Sequence, residues 1–457
     1  MIDLSYFKNR LLPISVSALA LCSSAFGGEK LRVYILAGQS NTVGWANAHT
    51  IPTLYQTGNK RDAALAKMVF GESQENEIAA QLVRARELDK ISGGINFPTM
   101  KAMEEGPKKT ALNTKIEGLF QKHEAYKAKV LSSCAQSDRV YISSIADRNV
   151  RSGKLGPGYG AKDGRIGPEY GFGLSIAEKV DGPILLIKSS WGGKSLMYDF
   201  RPPSAEEFSK TVAYENAQKS YREALEKFEE AKKSFPERQQ AYEEDLAKYE
   251  EAMKTADEAT KKKLRAPRKV SPPREPRAPS FDMAGHFWNE MVKHTTEVLK
   301  DPGNVHPDYD PKEGYEIAGF VWFQGYNDQF NPEYHGNYTD NMKVFIKDVR
   351  ATFKTPKMPF VIGVLGTPRI KEEVDKNEVS KAQRAAATAP EFKGNVAAVE
   401  SYLDYSNFSH EVFSKGWPKH YHEWDTVGSD RPYHYLGSGA FFIRLGDSFA
   451  KAIHQLK

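Results

Sequence analysis

Six short apolar runs are spaced along the chain, and most of them end in glycine or a polar residue. Continuous apolar runs of this length are typical of strands that are buried on both faces of a parallel sheet. Segments with apolar residues at helical spacing separate several of the runs, and this alternation predicts an α/β domain with helices on both faces of the sheet. The six predicted strands are residues 33–37, 139–145, 183–189, 316–323, 359–366 and 395–401.

The predicted fold is therefore a three-layer α/β/α domain with a mainly parallel sheet, interrupted by two helical insertions. The first insertion covers about residues 59–131, where the pattern is mostly helical and the interval between core strands is long. The second insertion, residues 204–264, separates the two parts of the predicted domain, residues 28–203 and 280–457. Residues 265–279 are rich in proline and basic residues, so they are expected to form an extended, stiff linker back to the core.

The second insertion, which we call the arm, has its own pattern. Its apolar residues recur at spacings of three, four and seven, as in a coiled-coil seam. Because proline breaks a helix interior, Pro236 predicts an antiparallel helical hairpin rather than one long helix. The arm is a candidate contact surface for an unknown protein, although a solvated spacer that packs on itself is the favoured alternative. The seam residues are Tyr221, Leu225, Phe228, Phe235, Tyr242, Leu246, Tyr249, Met253 and Ala256.

The first 27 residues have the three parts of an export signal. Basic residues precede the apolar segment 11–21, and small residues follow it. We expect cleavage near Ala25 or Gly27 and a secreted or periplasmic protein. The alternative is a lipid anchor on Cys22, which the large Leu21 disfavours. Apart from such an anchor, no membrane association is expected.

The charge balance gives no argument for a nucleic acid partner. The chain of 457 residues has 64 basic and 59 acidic residues, and outside one short proline-rich stretch the two signs are interleaved. Removal of the export signal would leave Cys134 as the only cysteine. An intramolecular disulfide would then be excluded, and a cysteine-based zinc site is disfavoured. No metal or other cofactor is predicted.

The end of the first predicted strand carries a candidate nucleophile. Gly38 allows a sharp turn, and Ser40 follows at the carboxyl edge of the sheet, where open α/β sheets bind their ligands. A serine in this position has an exposed hydroxyl with backbone N–H groups nearby, as acyl transfer requires. For this stretch alone, the alternative that Ser40 only caps the next helix carries equal weight.

Three later stretches supply the other parts of a serine hydrolase. Gly192 and Gly193 follow the third predicted strand and offer backbone N–H groups to a ligand. Asn327 follows the fourth predicted strand and offers a side-chain amide. Near the end of the chain, His434 offers a base and Asp430 a carboxylate to orient it.

In this order, the motifs resemble those of the SGNH-hydrolase superfamily, in its carbohydrate acetylesterase (sialate O-acetylesterase-like) branch. The resemblance covers about the whole chain outside the export signal and residues 204–280. It implies a flavodoxin-like fold, an acetylated carbohydrate as substrate and no cofactor. The matching stretches are residues 38–41, 167–169, 192 or 193, 322–325, 325–328, 382–383 and 434.

The resemblance also implies roles for the site residues. His434 would take the proton of Ser40 as the serine attacks an acetyl ester, and Asp430 would orient the imidazole. The N–H groups of Ser40 and Gly193, with the amide of Asn327, would stabilise the oxyanion, each donor contributing about 3 kcal/mol. The further substrate-binding candidates are Gln324, Gly192 and Gln39.

Two positions depart from the family pattern. The branch usually has glutamate where this chain has Tyr326. The aspartate of the family usually stands three residues before the histidine, where this chain has Arg431. Asp430, four residues before the histidine, is therefore the first candidate for the orienting acid, and Asp425 is the second.

Two other functions compete with the esterase interpretation. A non-catalytic carbohydrate-binding relative with the same fold would explain the shifted aspartate, but it would not need Ser40, Asn327 and His434 together. A phosphate-binding loop at residues 193–195 would need glycine where the chain has Lys188, so this alternative has little support.

Several residues beside the motifs have two interpretations. Gln324 either donates to the oxyanion or only holds its loop. His420 and His422 have the spacing of metal ligands, but a packed or solvated loop is favoured for them. The aromatic side chains that either stack on a sugar or belong to the core are Trp191, Trp322 and Tyr326, with the core favoured for Trp322.

Overall fold

The computed structural model describes residues 28–93, 107–261 and 263–456. The predicted export signal, residues 1–27, lies outside the described residues. Within the described ranges, no helix combines the length and the apolar character needed to cross a membrane.

The described part of the chain forms a central sheet and a small two-stranded sheet. The strands are β1 (Leu31–Gly38), β2 (Ala46–Asn47), β3 (Val140–Ala146), β4 (Asn149–Lys154), β5 (Arg165–Ile166), β6 (Ile184–Ser190), β7 (Tyr315–Phe323), β8 (Phe360–Val364) and β9 (Val396–Glu400). The central sheet has the order β4-β3-β6-β1-β7-β8-β9, and β2 pairs with β5. Only β4 runs antiparallel to its neighbour in the central sheet. The mainly parallel sheet is confirmed; β4 was not predicted because it contains no apolar run.

The helices alternate with the strands of the central sheet. The α-helices of the described residues are α1 (Ser40–Val43), α2 (Lys60–Phe70), α3 (Glu75–Ser92), α4 (Pro107–Ser133), α5 (Pro168–Ala177), α6 (Val212–Thr255), α7 (Glu258–Lys261), α8 (His286–Lys300), α9 (Pro332–Gly336), α10 (Tyr338–Thr352), α11 (Lys371–Val374), α12 (Glu378–Ala387), α13 (Asn407–Ser414), α14 (Tyr421–Val427) and α15 (Gly439–Gln455). The 3-10 helices are Ala48–Gln56, Phe208–Lys210, Pro302–Asn304, Asp328–Phe330, Pro390–Phe392, Ser401–Asp404, Trp417–His420 and Pro432–Gly437.

Helices cover both faces of the central sheet, because alternate residues of β1 belong to two different apolar clusters. Tyr34 and Leu36 belong to one apolar cluster, to which α5 and α15 contribute. Ile35 and Ala37 belong to a second cluster, to which α8, α10 and α12 contribute. Because successive residues of a strand point to opposite faces, the two clusters lie on opposite sides of the sheet. The predicted three-layer α/β/α fold is therefore confirmed.

Gly38 is required where β1 ends. A Cβ at this position would overlap the carbonyl oxygen of Phe323, at the end of β7, and the hydroxyl of Thr42. The absent side chain lets the two strand ends approach closely, so the turn that leaves β1 lies directly against the end of β7.

The segment 402–433, to which the sequence pattern assigns no strand or helix, contains the α-helices α13 and α14. Its buried apolar residues include Val412 and Trp424, and the two helices are too short for a periodic apolar stripe. Helix α14 begins against α3 of the first insertion, where the Asp89 carboxylate accepts hydrogen bonds from the N–H groups of His422 and Glu423, each at 2.9 Å. A carboxylate in this position satisfies N–H groups that have no partner within the helix.

The arm contains one continuous helix, so the predicted hairpin was wrong. Helix α6 runs through Pro236, which is exposed. Proline has no N–H group, so one carbonyl in the preceding turn lacks its hydrogen-bond donor. Because this position faces water, that carbonyl can be solvated, and the helix continues. The preceding carbonyl, of Ala231, accepts from Ser234 at 3.3 Å and from the Arg238 guanidinium at 3.1 Å. The chain then returns through residues 264–280, which form neither helix nor strand.

Candidate active site

Ser40 begins α1 directly after the end of β1. The turn before it is held against β7, because the Gln39 N–H and the Thr42 hydroxyl both donate to the carbonyl of Phe323, at 3.3 and 2.7 Å. Ser40 is 8% exposed, so the residue is largely buried in this turn. The structure thus places Ser40 at the carboxyl edge of the sheet, as the sequence predicts.

Gln39 connects the serine turn to the loop after β7. Its side-chain oxygen accepts hydrogen bonds from the N–H groups of Gly325 and Asn327, at 3.0 and 3.4 Å. The Gln39 side chain is buried. Gln39 therefore positions the loop that carries Asn327. Because its side chain is occupied in this way, Gln39 is a wrong candidate for substrate binding.

Gly192 and Gly193 follow β6, next to the serine. A Cβ on Gly192 would lie 4.0 Å from the Cβ of Ser40. The Gly192 N–H donates to the Asp147 carboxylate at 2.7 Å, so it is not free to bind an oxyanion, and Gly192 was a wrong candidate for that role. Within the described residues, the N–H of Gly193 has no hydrogen-bond partner. The structure thus leaves Gly193 as the donor from this turn.

Asp147 is a site residue that the sequence analysis missed. It lies in the tight turn between β3 and β4 with a φ of 58°. Its own N–H donates to the Ser190 carbonyl at 2.9 Å, which holds its carboxylate beside the glycine turn. An aspartate tolerates this left-handed backbone better than most residues, and that preference for a tight turn was the only signal for it in the sequence.

Asn327 and Gln324 have different roles in the loop after β7. The Asn327 amide donates one hydrogen to the carbonyl of Gly193 at 2.7 Å and retains a second. The Gln324 amide donates both of its hydrogens, to the Lys194 carbonyl at 2.8 Å and to Asp328. Gln324 is therefore a wrong candidate for an oxyanion donor. It holds its loop, which leaves Asn327 as the side-chain donor.

Asp328 joins this loop to the one after Gly193. Its buried carboxylate accepts from the N–H groups of Leu196 and Met197, at 3.0 and 3.2 Å, and from Gln324. Burial raises the pKa of Asp328 to about 6, although these three donors act in the opposite direction. The two loops that carry Gly193 and Asn327 are therefore fixed to each other.

The histidine of the site is paired with the first of the two predicted acids. Nδ1 of His434 lies 3.2 Å from Oδ1 of Asp430. The Arg431 N–H donates to the same oxygen at 2.7 Å, so the backbone turns back on itself and accommodates the spacing of four residues. Although burial alone would raise it, the pKa of Asp430 is held below its usual value by His434, the Arg431 N–H and Arg165.

Two residues that the sequence analysis missed hold the imidazole from the side. The Trp45 ring stacks on His434, with centroids 5.1 Å apart and planes within 6°. The Arg165 guanidinium lies 5.0 Å from the centre of the Trp45 ring and 3.7 Å from Oδ2 of Asp430. The imidazole is thus fixed by a carboxylate at its edge and by an indole on its face. No motif marks either residue, because they come from β5 and from the turn before β2.

The backbone beyond His434 is strained. Tyr435 and Leu436 have φ values of 48° and 64°, a left-handed conformation that side chains other than glycine rarely adopt. Both residues are buried, and the Tyr435 ring stacks on Phe441 with centroids 4.0 Å apart. Its hydroxyl lies 2.8 Å from that of Ser401. The core contacts of Tyr435 therefore impose the turn that presents His434.

The segments of the serine and the histidine touch directly. The Asn41 amide donates to the Tyr433 carbonyl at 3.1 Å. The residues next to Ser40 and next to His434 are thus joined by one hydrogen bond. The segments that carry Ser40, Gly193, Asn327 and the His434–Asp430 pair are thus neighbours at the carboxyl edge of β1, β6 and β7.

A buried ion pair lies beneath the serine helix. Nζ of Lys188 lies 3.0 Å from the Glu169 carboxylate, and both side chains are fully buried. The ammonium donates to the Val43 carbonyl at 3.0 Å, in the last residue of α1. Burial lowers the pKa of Lys188. Lys188 thus supports α1 from within the sheet, an arrangement unlike a phosphate-binding loop.

Aromatic side chains line one side of the opening. The Tyr326 ring lies 5.2 Å from Phe330 and 6.0 Å from Tyr433, measured between centroids. Phe330 and Tyr433 are exposed. We call these three residues the aromatic rim. The two tryptophans considered with Tyr326, Trp191 and Trp322, are buried in the core instead.

A second cluster of titratable groups lies outside the site. Asp425 contacts His123 and Lys127, at 3.2 and 2.8 Å, and its carbonyl is 2.7 Å from the His49 ring. His123, Glu124 and Asp425 have the spacing of a metal site. The Lys127 ammonium, also 3.1 Å from Glu124, occupies the position that a cation would take. Asp425 does not contact His434 and is a wrong candidate for the orienting acid.

The neighbouring histidines are held by carboxylates as well. Nδ1 of the buried His422 lies 2.9 Å from Asp89. The ring of His420 is 40% exposed and lies 4.0 Å from Glu423. The two side chains point to different acids, so they form a packed segment, the interpretation that the sequence analysis favours.

The comparison with protein families agrees with the motifs. The model of the family described as "Carbohydrate esterase, sialic acid-specific acetylesterase" matches residues 278–407. The predicted family resemblance is confirmed. The matched segment contains the loop with Gln324 and Asn327, whereas Ser40 and His434 lie outside it.

Two solved structures are similar to this chain. A protein from Arabidopsis thaliana is 13% identical, with 93% of this chain and 98% of that chain covered, at a TM-score of 0.38. A carbohydrate acetylesterase from Xanthomonas citri is 10% identical, with 82% of this chain covered, at a TM-score of 0.31. The match spans 50% of the Xanthomonas protein. No curated protein sequence matches the chain.

Proposed function

We propose that this protein is a secreted serine esterase that removes O-acetyl groups from carbohydrate. The observation that carries the proposal is the 3.2 Å contact of His434 with Asp430, beside the turn that presents Ser40. The esterase segment at residues 278–407 supports the reaction class.

The reaction begins when Ser40 Oγ attacks the carbonyl carbon of the acetyl group. His434 accepts the hydroxyl proton, and Asp430 stabilises the imidazolium that results. The carbonyl oxygen becomes an oxyanion, which accepts hydrogen bonds from the N–H groups of Ser40 and Gly193 and from the second amide hydrogen of Asn327. Each donor contributes about 3 kcal/mol of transition-state stabilisation.

The tetrahedral intermediate then releases the sugar. His434 returns the proton to the sugar oxygen as the ester C–O bond breaks, and acetyl remains on Ser40. Water, deprotonated by His434, attacks this acyl-enzyme, and acetate leaves with Ser40 restored. Asp430 remains ionised throughout, which agrees with the lowered pKa of its carboxyl.

The aromatic rim supports a carbohydrate substrate. Tyr326, Phe330 and Tyr433 offer ring faces on the same side of the opening as the loop of Asn327. An aromatic face covers the apolar C–H surface of a sugar ring, and the tyrosine hydroxyls can bond to its polar edge. Tyr326 stands where the family usually has glutamate, so in this chain a ring replaces a charge.

The test is hydrolysis of p-nitrophenyl acetate and of an acetylated sugar by the wild type and by Ser40→Ala. We expect the substitution to lower kcat/KM by at least about 10³-fold, because the nucleophile is lost. Ser204→Ala, at an exposed serine in the second insertion, is the matched control and should retain activity. Equal activity in Ser40→Ala and wild type would refute the mechanism. An inactive wild type that binds sugar would favour the non-catalytic relative.

A further inference from the structure

The helix of the arm and the chain that returns from it, residues 264–280, span the same distance. Helix α6 has 44 residues, so it is roughly 65 Å long. At its root, the rings of Tyr214 and Phe281 lie 5.7 Å apart, so the chain returns to where the helix began. About 20 residues make this return, and they span roughly 60 Å only in an extended form with about 3.1 Å per residue.

The returning segment has the threefold repeat of a polyproline II helix. Every third residue is half-buried, and the two residues between are exposed. Polyproline II has three residues per turn, so residues three apart lie on one face. The apolar seam of α6 is half-buried as well, although in the described residues the helix that contacts α6, α9, lies at its root. We infer that the two stripes cover each other. The half-buried residues of the returning segment are Leu264, Pro267, Val270, Pro273, Pro276 and Pro279.

A second face of the same segment carries four arginines. Arg265, Arg268, Arg274 and Arg277 are exposed and share the threefold register, with Ser271 at the remaining step. We call these four residues the arginine ladder. Successive steps are roughly 9 Å apart, because one turn of polyproline II contains three residues. A rigid backbone thus holds the guanidinium groups in one row.

The ladder is unneutralised. Within the described residues, none of its four arginines has an ion pair or hydrogen bond. Two lysines of α6 do pair with neighbouring acids, Lys248 with Asp245 at 3.4 Å and Lys254 with Glu251 at 3.7 Å. Between residues 263 and 280 there are six basic residues and one acidic residue, Glu275. This charge contrasts with the interleaved signs elsewhere in the chain and indicates an anionic ligand.

We propose that the arginine ladder binds a strand of acidic polysaccharide. A linear polymer with carboxylate or sulfate groups presents repeated anions to repeated guanidinium groups, which bind such groups in a bidentate manner. Because the segment is already rigid, little conformational entropy is lost on binding. A nucleic acid is disfavoured, because residues 263–280 contain no aromatic side chain on which bases could stack.

The root of the arm lies beside the candidate active site. Asn216 of α6 donates to Glu333 of α9 at 3.4 Å, and Ala213 and Phe208 form an apolar cluster with Tyr334. Helix α9 follows directly on the loop with Asn327 and the aromatic rim. A polymer held on the ladder therefore has a high effective concentration at the site. The choice of a polysaccharide rests on the proposed function.

The test measures binding of polygalacturonate, an anionic polysaccharide, to the inactive Ser40→Ala chain by affinity electrophoresis at low salt. The ladder variant replaces its four arginines with glutamine. The control variant removes four exposed charges from α6, through Lys219→Gln, Arg222→Gln, Lys227→Gln and Lys233→Gln. We expect the ladder variant to bind at least about tenfold more weakly, with a shallower salt dependence, and the control to change less than about threefold.

Three outcomes would overturn the proposal. They are equal losses in both variants, no binding of polygalacturonate by the parent chain, or tighter binding of single-stranded DNA than of polygalacturonate. Circular dichroism at 222 nm checks that α6 is retained in both variants, whose substitutions are all exposed. Because binding is measured without turnover, failure of the esterase proposal would appear in the hydrolysis assay and not in this one.

Discussion

Asp425 and Asp430 are five residues apart, and each faces histidine, yet their surroundings differ. Asp425 contacts His123 and Lys127, and its His123 partner is 1% exposed. Asp430 lies 3.2 Å from His434 and 3.7 Å from Arg165, and the imidazole is 12% exposed. The first group is a closed ionic cluster between α4 and α14. The second lies at the edge of the sheet beside Ser40.

The difference teaches that an aspartate–histidine pair does not by itself mark a catalytic site. Coulombic attraction and hydrogen bonds hold the pKa of both carboxyls low, against the effect of burial. Only His434 has a serine segment in contact with its own, through Asn41 and Tyr433. Access and a nucleophile therefore separate the two pairs, whereas their charge states are alike.

The largest contrast is expected on removing the imidazoles. His434→Ala should lower kcat/KM by about 10²- to 10⁴-fold, because general acid–base catalysis is lost. His123→Ala should leave kcat/KM of the folded protein unchanged and lower the free energy of unfolding. Hydrolysis of p-nitrophenyl acetate and urea denaturation of both variants measure this contrast. Loss of activity in a stably folded His123→Ala would contradict the assignment.

The next contrast separates the two acids by stability. Asp425→Asn removes the carboxylate that contacts both His123 and Lys127, and it leaves Lys127 only the more exposed Glu124. We therefore expect a loss of about 3 kcal/mol in the free energy of unfolding. Asp430→Asn should cost less stability and instead reduce kcat. Urea denaturation of the two variants at pH 7 gives the comparison. Similar losses of stability in both would refute the distinction between a closed cluster and an open pair.

A third carboxyl sharpens the comparison through pH. Asp328 is buried like Asp425 but has no cation beside it, and burial raises its pKa to about 6. The ordinary pKa of an aspartate is about 4. Between this pH and the pKa of about 6 in the folded protein, Asp328 binds a proton in the folded state but not in the unfolded state. Asp328 therefore makes the wild type less stable as pH rises through this window.

Asp328→Asn removes that dependence. The free energy of unfolding of the variant, minus that of the wild type, should rise by up to about 3 kcal/mol from pH 4 to pH 7. Urea denaturation across this range measures the difference. The loss of carboxylate hydrogen bonds shifts the stability difference by the same amount at every pH. The change of this difference with pH is therefore the diagnostic quantity. A flat difference would mean that the donors around Asp328 fully offset burial.

The strands and the positions of the proposed catalytic residues could be predicted because their signals are local. Apolar runs define the six parallel strands, and Ser40 and His434 stand in short motifs. Asp147, Trp45 and Arg165 could not be predicted in the same way. Each reaches the site from a turn or a short strand whose position depends on the assembled sheet.

The arm failed as a prediction for a different physical reason. Pro236 would end a helix whose backbone had to be satisfied internally, but at an exposed position water replaces the lost donor. The seam was recognised correctly as apolar, yet its partner was taken to be a second helix. The proline-rich segment has a threefold repeat in its sequence, and we infer that this segment is the partner of the seam.

The strained turn after His434 links catalysis to the cooperativity of the whole domain. Tyr435 and Leu436 adopt left-handed backbone only because their side chains are embedded in the core. The imidazole therefore cannot be displaced by local fraying without opening that core. On heating, loss of activity and loss of tertiary structure should follow one curve, and the working range of the enzyme would extend to its melting temperature.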